Sequence, residues 1–175
     1  MPTLILPLLL ACSVSTTAPQ TEALVPAAPA AASDGVPHAR GEVVYVPVYS
    51  SIYVAEGNQT FDLTVTLTVR NTDRDAPLTV RSVDYYDTAG ALLHRYVEAP
   101  TSLAPLASAD TVVRASDTRA GVGGSFVVEW SSAEDVSEPV IEAVMIGAGY
   151  QQGISFVSRG TVIERTPTTP TSSPR

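Results

Sequence analysis

Cys12 is the one thiol in this 175-residue chain, and it follows Leu9, Leu10 and Ala11 at the end of an apolar stretch, residues 4–11. Thiolate is the nucleophilic form of sulfur. An apolar run that closes on a small residue and then cysteine reads as a bacterial lipoprotein signal. In that reading Leu9 and Ala11 dock in the signal peptidase, Cys12 becomes the new N-terminus, and its sulfur receives the lipid that holds the protein on a membrane. The stretch is far shorter than the roughly 20 residues that span a bilayer, so it suits secretion rather than a transmembrane anchor.

Few other side chains have the types or spacing for chemistry. Of the two histidines, His38 lies in an Ala- and Pro-rich stretch, which leaves His94. A hydrolytic triad would need His94 to meet Asp84 or Asp87 and a serine. No nucleophile-elbow motif is present, and a surface histidine near a hairpin is the simpler expectation. One imidazole and no cysteine in the folded part argue against structural zinc, and two methionines, one the initiator, give copper no better basis. Glu129 and Glu142 have the form of an acid and base pair on apolar strands. However, alternation with Val128 and Trp130 turns Glu129 outward, and Glu142 and Arg159 fall on neighbouring strands where a suitable register makes them an ion pair. Gly121, Val122, Gly123 and Gly124 resemble a phosphate cradle, but no helix follows to face an anion. Asp73 with Asp75, and Asp84 with Asp87, lack the oxygen spacing of a calcium loop and are better read as solvated turns.

Two groups remain as candidate binding surface. Tyr45, Tyr49 and Tyr53 recur every four residues around Pro47. With Tyr85 and Tyr86 they suit either recognition of a partner or glycan, led by Tyr49, Tyr53 and Tyr86, or plain covering of core and edges. Gln151, Gln152, Gly153, Ser155, Ser158 and Arg159 put many polar groups into one loop-strand junction. They either satisfy the backbone of a glycine-rich loop or bind a ligand. No catalytic residue, metal site or cofactor is expected.

Composition narrows the partners. A net charge of −8 and a pI near 4.6 argue against nucleic acid, whose phosphates would be repelled. All ten cationic side chains are Arg, which excludes lysine chemistry: no Schiff base, no pyridoxal cofactor, no phosphate-loop lysine. With Cys12 used as an anchor, the folded part has no disulfide and must hold by apolar burial.

The elements that would position these residues are strands. Residues 13–40 are rich in Ala, Pro, Ser and Thr and read as a disordered tether; residues 166–175, with three prolines among Thr and Ser, read as a disordered tail. Residues 41–165 are the folded unit. Phe61, Leu63, Val65, Leu67 and Val69 alternate with polar neighbours, the period of a half-buried strand. Turn formers at residues 71–77 lead to a second strand, in which holding Val80, Val83 and Tyr85 on one face requires a β-bulge near Arg81 or Ser82. Asp87, Thr88, Ala89 and Gly90 suit a type I turn closing a hairpin onto Leu92 and Leu93. Pro105 marks an edge or a crossing between sheets, and Pro47 an edge. Further strands are expected at residues 111–114, 125–131, 140–146 and 154–163, the last two joined through Gly147, Gly149 and Gly153. Trp130 is expected in the core against Phe126 and Tyr85, its indole N–H needing an acceptor. The pattern predicts an all-β, immunoglobulin-like antiparallel β-sandwich of seven to nine strands with no amphipathic helix.

Five separated stretches carry a resemblance: VYVPVYSSIY (residues 44–53), RNTD (70–73), SVDYYDTAG (82–90), PVIEAVMIG (139–147) and QQGISFVSRG (151–160). Over about residues 41–163 the chain resembles a bacterial family of unknown function, domain of unknown function 3124. The resemblance implies an envelope lipoprotein domain and carries no activity, cofactor or catalytic residue. The expected function is a non-enzymatic binding or interaction module, anchored to a membrane through lipid and facing another envelope protein. The alternative is an accessory domain that binds a small ligand, glycan or weakly held metal ion through residues 151–159. Ser13 rather than Asp after the cysteine resembles an outer-membrane destination.

Overall fold

The computed structural model describes residues 40–149 and 152–165. The signal with Cys12, the tether short of Arg40, the tail at 166–175 and Gln151 lie outside the described residues, as does the side chain of Gln152. Twelve strands are described: β1 (Arg40–Val48), β2 (Ser51–Val54), β3 (Gln59–Asp62), β4 (Thr64–Arg70), β5 (Leu78–Tyr86), β6 (Leu92–Arg95), β7 (Thr101–Leu103), β8 (Ser108–Val113), β9 (Gly124–Ser132), β10 (Val140–Gly149), β11 (Gln152–Arg159) and β12 (Thr161–Arg165). One sheet runs β12-β1-β9-β5-β6 with β7 beside β5, a second runs β11-β10-β4-β8, and β2 pairs with β3 in a separate hairpin. Every pairing is antiparallel. The chain is therefore an all-β sandwich.

Alternation built the core as expected. Val65, Leu67 and Val69 of β4 are buried while Thr64, Thr66 and Thr68 are not, and Val44, Val46 and Val48 of β1 join the same core from the other sheet. The register of β5 against β9 slips between Val80 and Ser82, which is the predicted bulge. Gly90 N–H donates to Asp87 C=O at 3.0 Å in the turn before β6, and the Asp87 carboxylate takes the N–H of Ala89 and Ala91. Pro105 lies in the turn between β7 and β8, where the chain passes from one sheet to the other. Pro47 sits opposite Ser125 of β9, beyond the part of β1 that β12 covers.

Three expectations need correction. Twelve strands are described rather than seven to nine, in part because two runs that read as continuous each divide. The first breaks at Leu63 into β3 and β4. The second breaks at Gly160 into β11 and β12, which belong to different sheets. Trp130 is fully buried, but the ring stacked on Tyr85 is Phe126, at 4.8 Å. Trp130 lies four residues along β9, roughly 13 Å away at strand spacing. There the Arg40 guanidinium covers its face at 5.8 Å, and no described protein atom accepts from its indole N–H. Glu142 does stand opposite Arg159 in register, yet its ion pair is with Arg70 of β4, at 3.7 Å.

Register also fixes the two ends of the sandwich. β1 starts at Arg40 beside Ser132, and β12 finishes at Arg165 beside Glu42, so the described chain begins and finishes at the same end. Glu42 is buried there. Its carboxylate accepts from Arg40 at 3.4 Å and from Arg165 at 3.1 Å, clasping the first strand to the last. Arg40 also donates to Val136 C=O and to the Glu138 carboxylate, both within 2.9 Å.

Asp73 closes a loop at this same end. Its carboxylate accepts backbone N–H from Ser137, Asp75 and Ala76, and these bonds hold its pKa down at about 2 against an ordinary 3.8. A depressed folded-state pKa contributes stability that is complete above pH 3.8 and lost as pH falls through about 2. Melting curves between about pH 5 and about pH 2 should fall less steeply for Asp73→Asn than for the native chain. Equal slopes would show that the carboxylate charge does not matter.

Candidate functional site

The far end of the sandwich carries a cleft. The β4–β10 ladder stops at Thr64 opposite Ile146, and upstream of Leu63 the chain peels away from β10 to pair with β2 instead. What would have continued the ladder, Gly147 and Gly149 of β10, lies under the ring of Phe61. A Cβ on Gly147 would strike Phe61 Cε1, and one on Gly149 would come within 2.8 Å of Phe61 Cε2. Two glycines two residues apart share one face of a strand, so their missing side chains make a bare seat for the aromatic ring. Between the β2–β3 and β10–β11 hairpins this leaves a cleft of about 610 Å³, bordered by Val54, Gln59, Thr60, Phe61, Gly149, Gly153 and Ile154. The volume falls within the range of ligand sites, and none of these described lining residues is ionisable.

The tip of the β2–β3 hairpin is strained. Ala55 and Glu56 hold left-handed φ angles of 48° and 60° before Gly57 at 81°. For residues with a Cβ that conformation costs about 1–2 kcal/mol each, so the tip of this hairpin forms at some expense.

The tyrosines do not gather on one face. Tyr49 is half-buried and packs edge-on against Phe156 at 5.7 Å, and Tyr85 is inside the core. Tyr45 lies outside the first sheet at the level of Val127 and Asp84, with Tyr86 one pair further along beside Ser125. Tyr53, 63% exposed, stands on β2 opposite Thr60, next to the cleft wall. Of the junction singled out in the sequence, Gly153 and Ile154 line the cleft, while exposed Arg159 is at the other end of β11 opposite Glu142. The sequence reading missed Phe61, Val54, Gln59 and Thr60. The spacing of Gly147 and Gly149 was the one local signal that an aromatic side chain would land there.

The acid–base candidates lie elsewhere. Glu129 is on the outer face of the first sheet, 3.2 Å from Arg81, and Glu142 is in the second sheet. His94 packs edge-on against Tyr96 at 4.5 Å beside a shallow hollow of about 380 Å³. Asp84 is paired with Arg95 at 2.9 Å, and Asp87 serves its turn. Burial pushes the phenols of Tyr85 and Tyr96 upward, with the charge of Asp117 adding to the effect. Among the described residues no three of His, Cys, Asp and Glu gather as metal ligands would.

The family model for a protein of unknown function, DUF3124, matches residues 41–163. The chain belongs to the DUF3124 family. The match begins in β1 and finishes within β12, so the DUF3124 region and the sandwich coincide. No curated protein and no solved structure matches the chain.

Proposed function

We propose that this DUF3124 domain is a non-enzymatic binding module, held on the bacterial envelope by lipid at Cys12, with its working surface at the far end of the sandwich. The supporting observation is polarity. The chain comes in at Arg40, at the clasped end, and the cleft opens at the opposite end of β1, whose nine residues span roughly 26 Å at about 3.3 Å each. A coil with the composition of residues 13–39 adds a mean reach of about 30 Å, so a lipidated Cys12 would attach the domain at the end remote from the cleft and leave the cleft clear of the headgroups. The partner we propose is another envelope protein. The small-ligand alternative draws on the same cleft, since Gly153 and Ile154 of the 151–159 junction line it.

A photo-crosslinking residue at Tyr53 in intact cells tests this, with the same residue at Tyr45 as the control. The expected result is a discrete adduct from position 53, a faint or absent one from 45, and loss of the adduct when Cys12→Ser removes the anchor. Equal adducts from both positions, or an adduct indifferent to Cys12, would overturn the reading.

A further inference from the structure

We propose that the cleft takes an extended, uncharged stretch of polypeptide laid along the open edge of β3, an inference that rests on the binding-module reading and gives its ligand a chemistry. Gln59, Thr60 and Phe61 are successive residues of β3, and all three line the cleft. Successive side chains of a strand point to opposite faces, so Gln59 and Phe61, with Val54 opposite Gln59 on β2, border the cleft with one face of the hairpin, and Thr60, which points the other way, borders it along the strand's edge. Among the described residues β3 pairs with β2 alone. The edge that faces the cleft therefore presents unpaired backbone N–H and C=O groups at the strand repeat, the template that an added strand completes.

The remaining walls fit the same occupant. Among the described residues a Cβ on Gly153 would meet nothing nearer than Gly147 C=O at 3.9 Å, which leaves room for an incoming side chain beside it. Val54, Phe61 and Ile154 offer apolar contact to alternate side chains of such a segment. The protein carries a net charge of −8, yet no described residue lining the cleft is ionisable. A charged segment would find no counter-charge among the described lining residues, whereas a neutral one needs none. Among the described lining residues a sugar would find only Gln59 and Thr60 as side-chain hydrogen-bonding groups. A fatty chain would lie against polar backbone in an open slot.

The test uses the full chain carrying Cys12→Ser, with backbone amides followed by NMR during titration with a capped Thr-Val-Thr-Val-Thr peptide. Saturable shifts should cluster at β3 and at Gly149, Gly153 and Ile154. Gly153→Phe fills the slot from an open position and should weaken binding about tenfold or more. Ile154→Glu, which charges the same wall, should do likewise. The proposal is overturned if the peptide leaves these amides unmoved at millimolar concentration, if both variants bind as the parent does, or if a maltoside detergent moves them and the peptide does not. Adducts from Tyr53 in cells alongside a silent peptide titration would sink the polypeptide ligand and leave the binding module standing.

Discussion

Trp130→Ala is expected to lose about 3–5 kcal/mol of folding stability, a large share of the roughly 5–15 kcal/mol that holds a domain of this kind. Trp130 is fully buried and the largest such side chain, lying where β9 meets Val80 of β5 and Glu42 of β1. Truncation leaves a void at the clasped end and strips Arg40 of the ring face it covers at 5.8 Å. Trp130→Phe should lose much less. It keeps an aromatic ring and removes an indole N–H for which no described protein atom is an acceptor. Trp130 is the only tryptophan, so urea unfolding of both variants must be followed by circular dichroism. A loss below about 1 kcal/mol for the alanine variant would mean that this end of the core is loosely packed.

Gly160→Val should cost about 1–3 kcal/mol or more by overpacking. Gly160 is the single residue between β11 and β12, where the chain leaves one sheet for the other. Its N–H donates to Ile141 C=O at 2.9 Å. A Cβ there would lie 2.5 Å from Val44 Cγ1 and 3.0 Å from Ile141 C=O. A side-chain methyl can shift, but the carbonyl belongs to the β10 backbone and cannot without disturbing the ladder. The expected result is a lower midpoint in urea with an unchanged slope, together with faster hydrogen exchange in β12 than in β9. The control is Gly153→Val, at a glycine whose Cβ would meet no described atom nearer than 3.9 Å, which should be close to neutral. Equal stability of Gly160→Val and the native chain would show that β12 is not held against β1 by this close approach.

Much of the fold could be read from local pattern because strand alternation is a local property. Val65, Leu67 and Val69 announce their face whatever they pack against, and Asp87 to Gly90 form a turn from their own backbone and carboxylate. The bulge before Ser82 follows from counting, since Val80 and Val83 cannot share a face without an extra residue. Glu129 turns outward by the same parity. Where the reading failed, alternation ran through a break. Ile154 and Phe156 continue in step toward Val162, and nothing in their types says that Gly160 carries the chain to another sheet; that is decided by Val44 and Ile141, far away in sequence. Glu42 was overlooked for a related reason. A glutamate at the start of an apolar strand reads as solvated until Arg40 and Arg165 are seen closing over it.

The sequence by itself determined which faces are apolar, where the chain turns, that the fold is an antiparallel sandwich, and that no lysine, thiol or histidine cluster is available to the folded part. Side-chain type and the two-residue repeat carry that information without reference to distant neighbours. Only the tertiary structure decided that residues 51–62 form a hairpin belonging to neither sheet, that Phe61 settles on Gly147 and Gly149, and that a cleft opens there, opposite the end where the chain comes in. Those outcomes depend on how two hairpins nearly a hundred residues apart meet, and a cleft is a property of the space between elements, which no single stretch of residues encodes.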